Sequence, residues 1–271
     1  MIARHTPSAL WQAPWPGLQS DLERQIENAL DAHNTPIRVW FRADDVAAPG
    51  TIWTSCCDVF LRHRTPLSPA LVPAWMSLAR WKTLYKVARG ADWGWHQHGW
   101  QHRNHEPEGE LKNEFGSFRP VQEQQQDIQR GVEKLHKTIG SAFIPVFTPP
   151  WNRMSQQAIL GLRDQGLSGL SRSCGSAPAC PDGLTEFPVH VDLHTRRSPE
   201  AEKDRQALLK EFGDALKTGT CGFMLHHQRM NEHALAFLET LLTVLGSDAR
   251  LHTVHIGELL HEAQEKCSVL A

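Results

Sequence analysis

Apolar positions along the chain change period repeatedly, and each change marks an element. Leu22, Ile26 and Leu30 recur every fourth residue behind Ser20 and Glu23, a capping-box spacing that predicts an amphipathic helix over 20–33. After Pro36 the period drops to two. Ile37, Val39 and Phe41 share one face of a predicted strand that ends in Ala43-Asp44-Asp45. The alternation then repeats, with predicted helices over 51–63, 74–87, 155–165, 199–217 and 232–245. Ile128, Val132, Leu135 and Ile139 mark a further long helix stopped by Gly140. Strand-like segments lie between, at 67–72, 93–98, 142–147, 167–170, 186–193, 221–225 and 251–254, with a Pro- and Gly-rich loop over 174–183. The count is roughly seven or eight βα units.

No linker, low-complexity run or composition break interrupts this series, so 1–271 reads as one domain with its core at about 36–262. A β/α alternation of this length predicts a parallel barrel or a doubly wound sheet, and in both the reactive groups gather at the C-terminal ends of strands.

Composition narrows the partners. With 28 basic and 30 acidic side chains the formal net charge is -2, which provides no positive field for nucleic acid or an anionic membrane. No stretch reaches the roughly 20 apolar residues of a membrane-spanning helix, and 1–19 lacks a basic segment followed by an apolar one. A cytoplasmic protein acting on a small molecule or an oligosaccharide is the expectation; the sequence sets no oligomeric state. The six cysteines match neither paired zinc knuckles nor a disulfide framework, and reduced thiols are expected. The 16 histidines and 10 tryptophans carry more information, because imidazole is a common metal ligand and indole faces suit sugar-like substrates.

Four strand ends carry candidate chemistry. Asp44 and Asp45 point to opposite faces if the strand continues and converge if the chain turns. In Trp95-His96-Gln97-His98-Gly99-Trp100-Gln101-His102 the four-residue separation of His98 and His102 would place both imidazoles on one side of a helical turn, within reach of one ion. His96 and His105 fit a surface histidine cluster better than a ligand role. Asp45 completes a two-histidine, one-carboxylate set, leaving Asp44 as a general base. Thr148-Pro149-Pro150-Trp151-Asn152 forms a stiff segment that presents Trp151 and Asn152 as a substrate wall. His226, directly after the 221–225 strand, can serve as a general acid.

In order, these segments resemble the polysaccharide deacetylase family, carbohydrate esterase family four or NodB homology domain, over about 38–258. The family's aromatic-then-Asp-Asp motif resembles Phe41-Arg42-Ala43-Asp44-Asp45, its His-x-x-x-His motif His98 to His102, its Arg-x-Pro-aromatic motif Thr148-Pro149-Pro150-Trp151, and its Leu-His motif Leu225-His226. The resemblance implies a distorted (β/α) barrel of about seven strands. It also implies Asp44 as base, Asp45, His98 and His102 around a divalent metal, usually Zn2+, and His226 as acid. Three departures stand out. Thr148 replaces the arginine that orients the base, with Arg42 as a candidate substitute. No aspartate partner for His226 is recognisable, Asp192 being a candidate. Gly99 replaces a hydroxyl residue. These changes suggest a divergent bacterial branch.

The implied activity is metal-dependent removal of an N-acyl, foremost N-acetyl, group from an amino sugar or small glycan. The alternatives are hydrolysis of another linear or cyclic amide on the same fold, and a noncatalytic metal-dependent carbohydrate-binding protein.

Overall fold

The period-two segment after Pro36 forms the longest strand, β1 (Ile37–Val46), in a computed structural model that describes residues 6–31 and 35–270. On one edge of β1, β9 (Leu251–Val254) pairs with its first half and β2 (Ser68–Leu71) with its second; β8 (Thr220–Leu225) follows the other edge. Beyond β2 come β3 (His96–His98), β4 (Val146–Thr148), β5 (Gly169–Leu170) and β6 (Thr185–Glu186), and β7 (Val191–Asp192) lies beyond β8. Every pairing is parallel.

The two ends of this sheet meet in one extended stretch. Phe187 and Val189 donate to Leu170 and Arg172 on the β5 side, whereas His190 and Leu193 donate to Gly222 and Met224 on the β8 side. The result is a distorted (β/α) barrel. Helices α2 (Thr51–Arg62), α3 (Leu78–Val87), α4 (Val121–Ile139), α5 (Gln156–Leu160), α6 (Ala201–Leu216) and α7 (Glu232–Leu245) connect successive strands; α1 (Leu18–Leu30) precedes them and α8 (Ile256–Leu270) follows. No helix among the described residues is long and apolar enough to cross a membrane, and all six cysteines are free.

Strand alternation sorts side chains into two environments. Val39, Phe41, Ala43, Phe147, Leu170, Phe223 and Leu225 belong to the large core packed against the helices. The intervening Trp40, Val146 and Met224 join Phe187, Val189, Val254, Ile256 and Leu260 in a separate, smaller apolar cluster. Gly222 is required there, because a Cβ would lie 2.7 Å from the Trp40 ring and from the Pro188 carbonyl. Further along the same strand faces lie Arg42, Asp44, His96, His98 and Thr148, all buried. An apolar floor therefore gives way to polar side chains towards the C-terminal ends of the strands.

Several local expectations change. The first helix starts at Leu18, not at the Ser20 capping box, because left-handed Gly17 (φ 73°) caps it and Leu18 adds a buried residue one turn before Leu22. The predicted residues 32 and 33 lie outside the described residues. The expected strand over 93–98 pairs only at His96–His98, and the 186–193 segment splits into β6 and β7 where it switches partners.

Candidate active site

Arg42 and Asp44, two residues apart on β1, face the same way. Arg42 is fully buried, and its Nε and Nη2 donate to the two oxygens of Asp44 at 2.7 and 2.9 Å, a bidentate pair. Its other contacts are Nη1 to Ser171 Oγ at 2.8 Å, and Nη2 to Asn152 Oδ1 at 2.7 Å and to Met224 Sδ at 3.1 Å. Removing one partner of such a buried pair costs about 3–5 kcal/mol, because the other charge is left uncompensated. The cation paired with Asp44 thus comes from β1 itself, two residues away. Thr148 Oγ1 lies 2.9 Å from His96 Nε2, and His96 Nδ1 donates to Gly94 O at 2.8 Å.

Asp45 would point away from Asp44 if β1 stayed regular, but its backbone is left-handed, with φ 60°. Gln228 Nε2 holds the Asp45 carbonyl at 2.8 Å. This twist swings the carboxylate onto the histidines: Asp45 Oδ1 lies 3.1 Å from His98 Nε2 and 3.0 Å from His102 Nε2. His98 Nδ1 sits 3.0 Å from the Thr148 carbonyl, which can only accept, so in the neutral ring Nε2 is the nitrogen that carries the lone pair.

His98 and His102 do not share a helical turn. His98 ends β3 and His102 lies in the loop beyond, with left-handed backbone at Gly99 (φ 55°) and His102 (φ 55°). Glu114, buried, stiffens this loop by accepting from the backbone of Trp100 (3.2 Å), Gln101 (2.8 Å) and Arg103 (3.4 Å). Gln97, on the helix side of β3, donates to Gly99 O at 3.0 Å and Ile128 O at 3.1 Å. Gly131 leaves room for that amide, since a Cβ there would meet it at 2.1 Å. His105 remains outside the cluster.

His226 follows Met224 by two residues at the end of β8, and its proximity helps hold the Asp44 carboxyl in its charged form. The proposed partner for it is corrected. Asp192 accepts instead from the backbone of His194 and Thr195, each at 3.0 Å, and from the Thr195 hydroxyl. His226 N donates to His194 Nδ1 at 3.1 Å, and His226 Nδ1 is buried without a hydrogen-bond partner among the described residues. His227 alternates to the helix side, edge-on to Trp53 with ring centres 5.0 Å apart.

Trp151 and Asn152 are both left-handed, at φ 56° and 58°, after the two prolines. The half-buried Trp151 ring stands 4.4 Å from the His102 ring. Asn152 turns inward: Oδ1 accepts from Arg42, and Nδ2 lies 3.4 Å from Met224 Sδ. Its amide supports Arg42.

Burial alone would raise the Asp44 pKa, but Arg42, then His98 and His226, more than offset it and hold the carboxyl below its usual range. Asp45 is held well below that range because the hydrogen bonds from His102 and His98 outweigh its burial. His98 moves up, its burial overcome by Asp45 and Asp44. Burial pushes His96 and His194 down to about 3, so both are neutral at ordinary pH.

The donor set of Asp45, His98 and His102 fits a divalent metal. Their ligand atoms lie within 4.8 Å of one another, the one such group found among the described residues. Two bonds of about 2.0–2.2 Å at a tetrahedral angle would separate donor atoms by about 3.3 Å, close to the spacing of the carboxylate oxygen and each imidazole nitrogen. Two imidazoles and one carboxylate also leave coordination positions for water and substrate.

Of the residues holding this geometry, Ser171, Glu114, Gln97, Met224 and Gln228 carry no signal of that role in the sequence. The period-two placement of Arg42 with Asp44, and of His96 with His98, was the available signal.

No protein-family model and no curated protein sequence matches the chain. Solved structures do. A Mycobacterium smegmatis protein assigned to the polysaccharide deacetylases superposes with TM-score 0.65 at 14% identity, covering 98% of this chain and 96% of that one. A Pseudomonas aeruginosa PAO1 protein assigned likewise gives 0.64 at 11%, covering 94% and 95%. A family 4 carbohydrate esterase pseudoenzyme from Bacillus anthracis gives 0.52 at 14%, covering 84% and 66%. The chain has the NodB-like barrel fold of the family 4 carbohydrate esterases.

Proposed function

We propose that the protein is a metal-dependent hydrolase that removes an N-acyl, foremost N-acetyl, group from an amino sugar or small glycan. One observation carries this reading: Asp45, His98 and His102 converge beside a second carboxylate, Asp44, that is fixed by Arg42 and left out of the cluster. A bound divalent ion, zinc first, would polarise the acyl carbonyl and make water easier to deprotonate. Asp44 takes the proton from the attacking water as its oxygen adds to the carbonyl carbon. His226, as imidazolium, gives a proton to the amide nitrogen as the C–N bond breaks, leaving acetate and a free amine. Trp151 walls the cleft at His102. A cytoplasmic location would favour soluble substrates over wall polymers.

The assay is acetate release from N-acetylated amino sugars by zinc-loaded protein, with metal content measured alongside. Asp44→Asn is expected to abolish release and retain metal, and His98→Ala to lose the metal. Full activity in Asp44→Asn removes the base assignment. A second reading is a noncatalytic carbohydrate-binding protein, favoured by His226 Nδ1 without an acidic partner. It expects glycan binding without acetate release by the wild-type protein.

A further inference from the structure

The short helical turn Ala9–Trp11 lies outside residues 38–258, which carry the family motifs, yet it reaches the strand ends that carry His226. Trp11 is 1% exposed, and its indole Nε1 donates at 2.8 Å to the carbonyl of Leu193, directly after β7. The Trp11 carbonyl accepts from Asn231 Nδ2 at 2.6 Å, and Asn231, beyond His226, caps α7 by accepting from Ala234 N at 3.0 Å. The Trp11 ring packs against two others, with its centre 5.8 Å from that of His194 and 5.0 Å from that of Phe237 on α7. One buried residue thus ties the segment after β7 to the segment after β8.

His226 belongs to the chain held by these two anchors. Its backbone N–H donates to His194 Nδ1 at 3.1 Å, and that nitrogen accepts only while it carries no proton. Burial keeps His194 neutral, so the acceptor is available at ordinary pH. The His194 backbone N–H is itself held by Asp192, and its ring lies against Trp11. Because His226 Nδ1 has no hydrogen-bond partner among the described residues, the residue is fixed through its backbone and not by a carboxylate on its ring. A general acid must hold its proton within hydrogen-bond reach of the departing nitrogen, and a displacement of about 1 Å costs up to about 100-fold in rate.

We propose that Trp11 and His194 are the positioning residues of His226: the turn at Ala9–Trp11 clasps the ends of β7 and β8, and so fixes the backbone from which the acid reaches the departing amine. This rests on the deacylase reading and makes a segment outside the motifs part of its active site.

The test uses the whole zinc-loaded chain and two substrates that differ in their need for an acid. An amide nitrogen must gain a proton as its C–N bond breaks, whereas nitrophenolate leaves nitrophenyl acetate without one. His194→Phe keeps a ring but deletes the acceptor, and Trp11→Phe keeps a ring but deletes the indole N–H. Each is expected to lower kcat for acetate release from an N-acetylated amino sugar about 10- to 100-fold, with KM and metal content little changed, and kcat for nitrophenyl acetate by about twofold at most. His194→Asn, whose side-chain oxygen can accept from the same N–H, should recover part of the loss. Equal losses on both substrates, or none on the amide, overturn the positioning role. Hydrogen exchange at the His226 amide reads the clasp without turnover, and should quicken about tenfold in His194→Phe and in Trp11→Phe, one hydrogen bond being worth about 1 kcal/mol. Exchange that ignores both substitutions overturns the clasp. No acetate release by wild type, with His226 exchange still responding to Trp11, sustains the clasp and removes the deacylase reading; acetate release with unresponsive exchange does the reverse.

Discussion

At the scale of single residues the site depends on where one guanidinium comes from. Arg42 reaches Asp44 from two residues back on the same strand and binds both carboxylate oxygens. A lysine would keep the charge but lose the planar fork. Arg42→Lys is expected to lower kcat by about 10- to 100-fold while KM moves little, since a base that wanders costs transition-state stabilisation more than binding. Arg42→Gln removes the charge that offsets burial, so the Asp44 pKa rises. Because Asp44 must be ionised to accept a proton, the acid limb of the kcat/KM–pH profile should move to higher pH in that variant. An unmoved limb would mean that another group sets it. The pair was legible in the sequence as a spacing; its partners Ser171 and Asn152, 129 and 110 residues away, were not.

At the scale of the element, the decisive piece is the loop between β3 and α4. The sequence placed two histidines four residues apart and suggested a helical turn. The structure instead uses left-handed Gly99 and a buried carboxylate, Glu114, to bring them together. A Cβ at Gly99 would lie 2.2 Å from Glu114 Oε2 and 2.6 Å from the Pro150 ring, in a backbone region that L side chains rarely adopt. Gly99→Ala is therefore expected to displace His102 and weaken metal binding by about 10- to 100-fold, the usual scale for disturbing the residues behind a ligand. Competition titration with a chromophoric chelator reads this directly, and wild-type affinity in Gly99→Ala would show that the loop tolerates the shift. Glu114 could not be assigned from spacing, because its partners are backbone amides and leave no side-chain motif.

At the scale of the molecule, buried neutral histidines set the acid limit. Burial pushes His96 and His194 down to about 3 and His227 to about 4, against 6.5 for an exposed imidazole. The unfolded chain therefore binds protons that the native state refuses. Stability is full above pH 6.5 and falls as pH drops towards 4, steepening to about 1.4 kcal/mol per pH unit for each histidine fully protonated only when unfolded. Denaturant melts of metal-free protein between pH 7 and 5 should show a falling midpoint before most carboxylates titrate, and a flat midpoint would contradict the neutral assignments. No motif announces these three residues as buried; their burial follows from strand alternation and helix packing.

The sequence alone determined the succession of strands and helices, the parallel β/α architecture and the strand ends at which reactive residues would appear, because local periodicity records which face of each element is buried. The tertiary structure decided which of those residues meet. Left-handed turns at Asp45, Gly99, His102, Trp151 and Asn152 redirect side chains against the strand period, and contacts across more than 100 residues hold Arg42 in place. Backbone turns of this kind, and long-range partners such as Ser171 and Asn152, carry no signal within a short window of sequence. They are fixed only when the strands assemble.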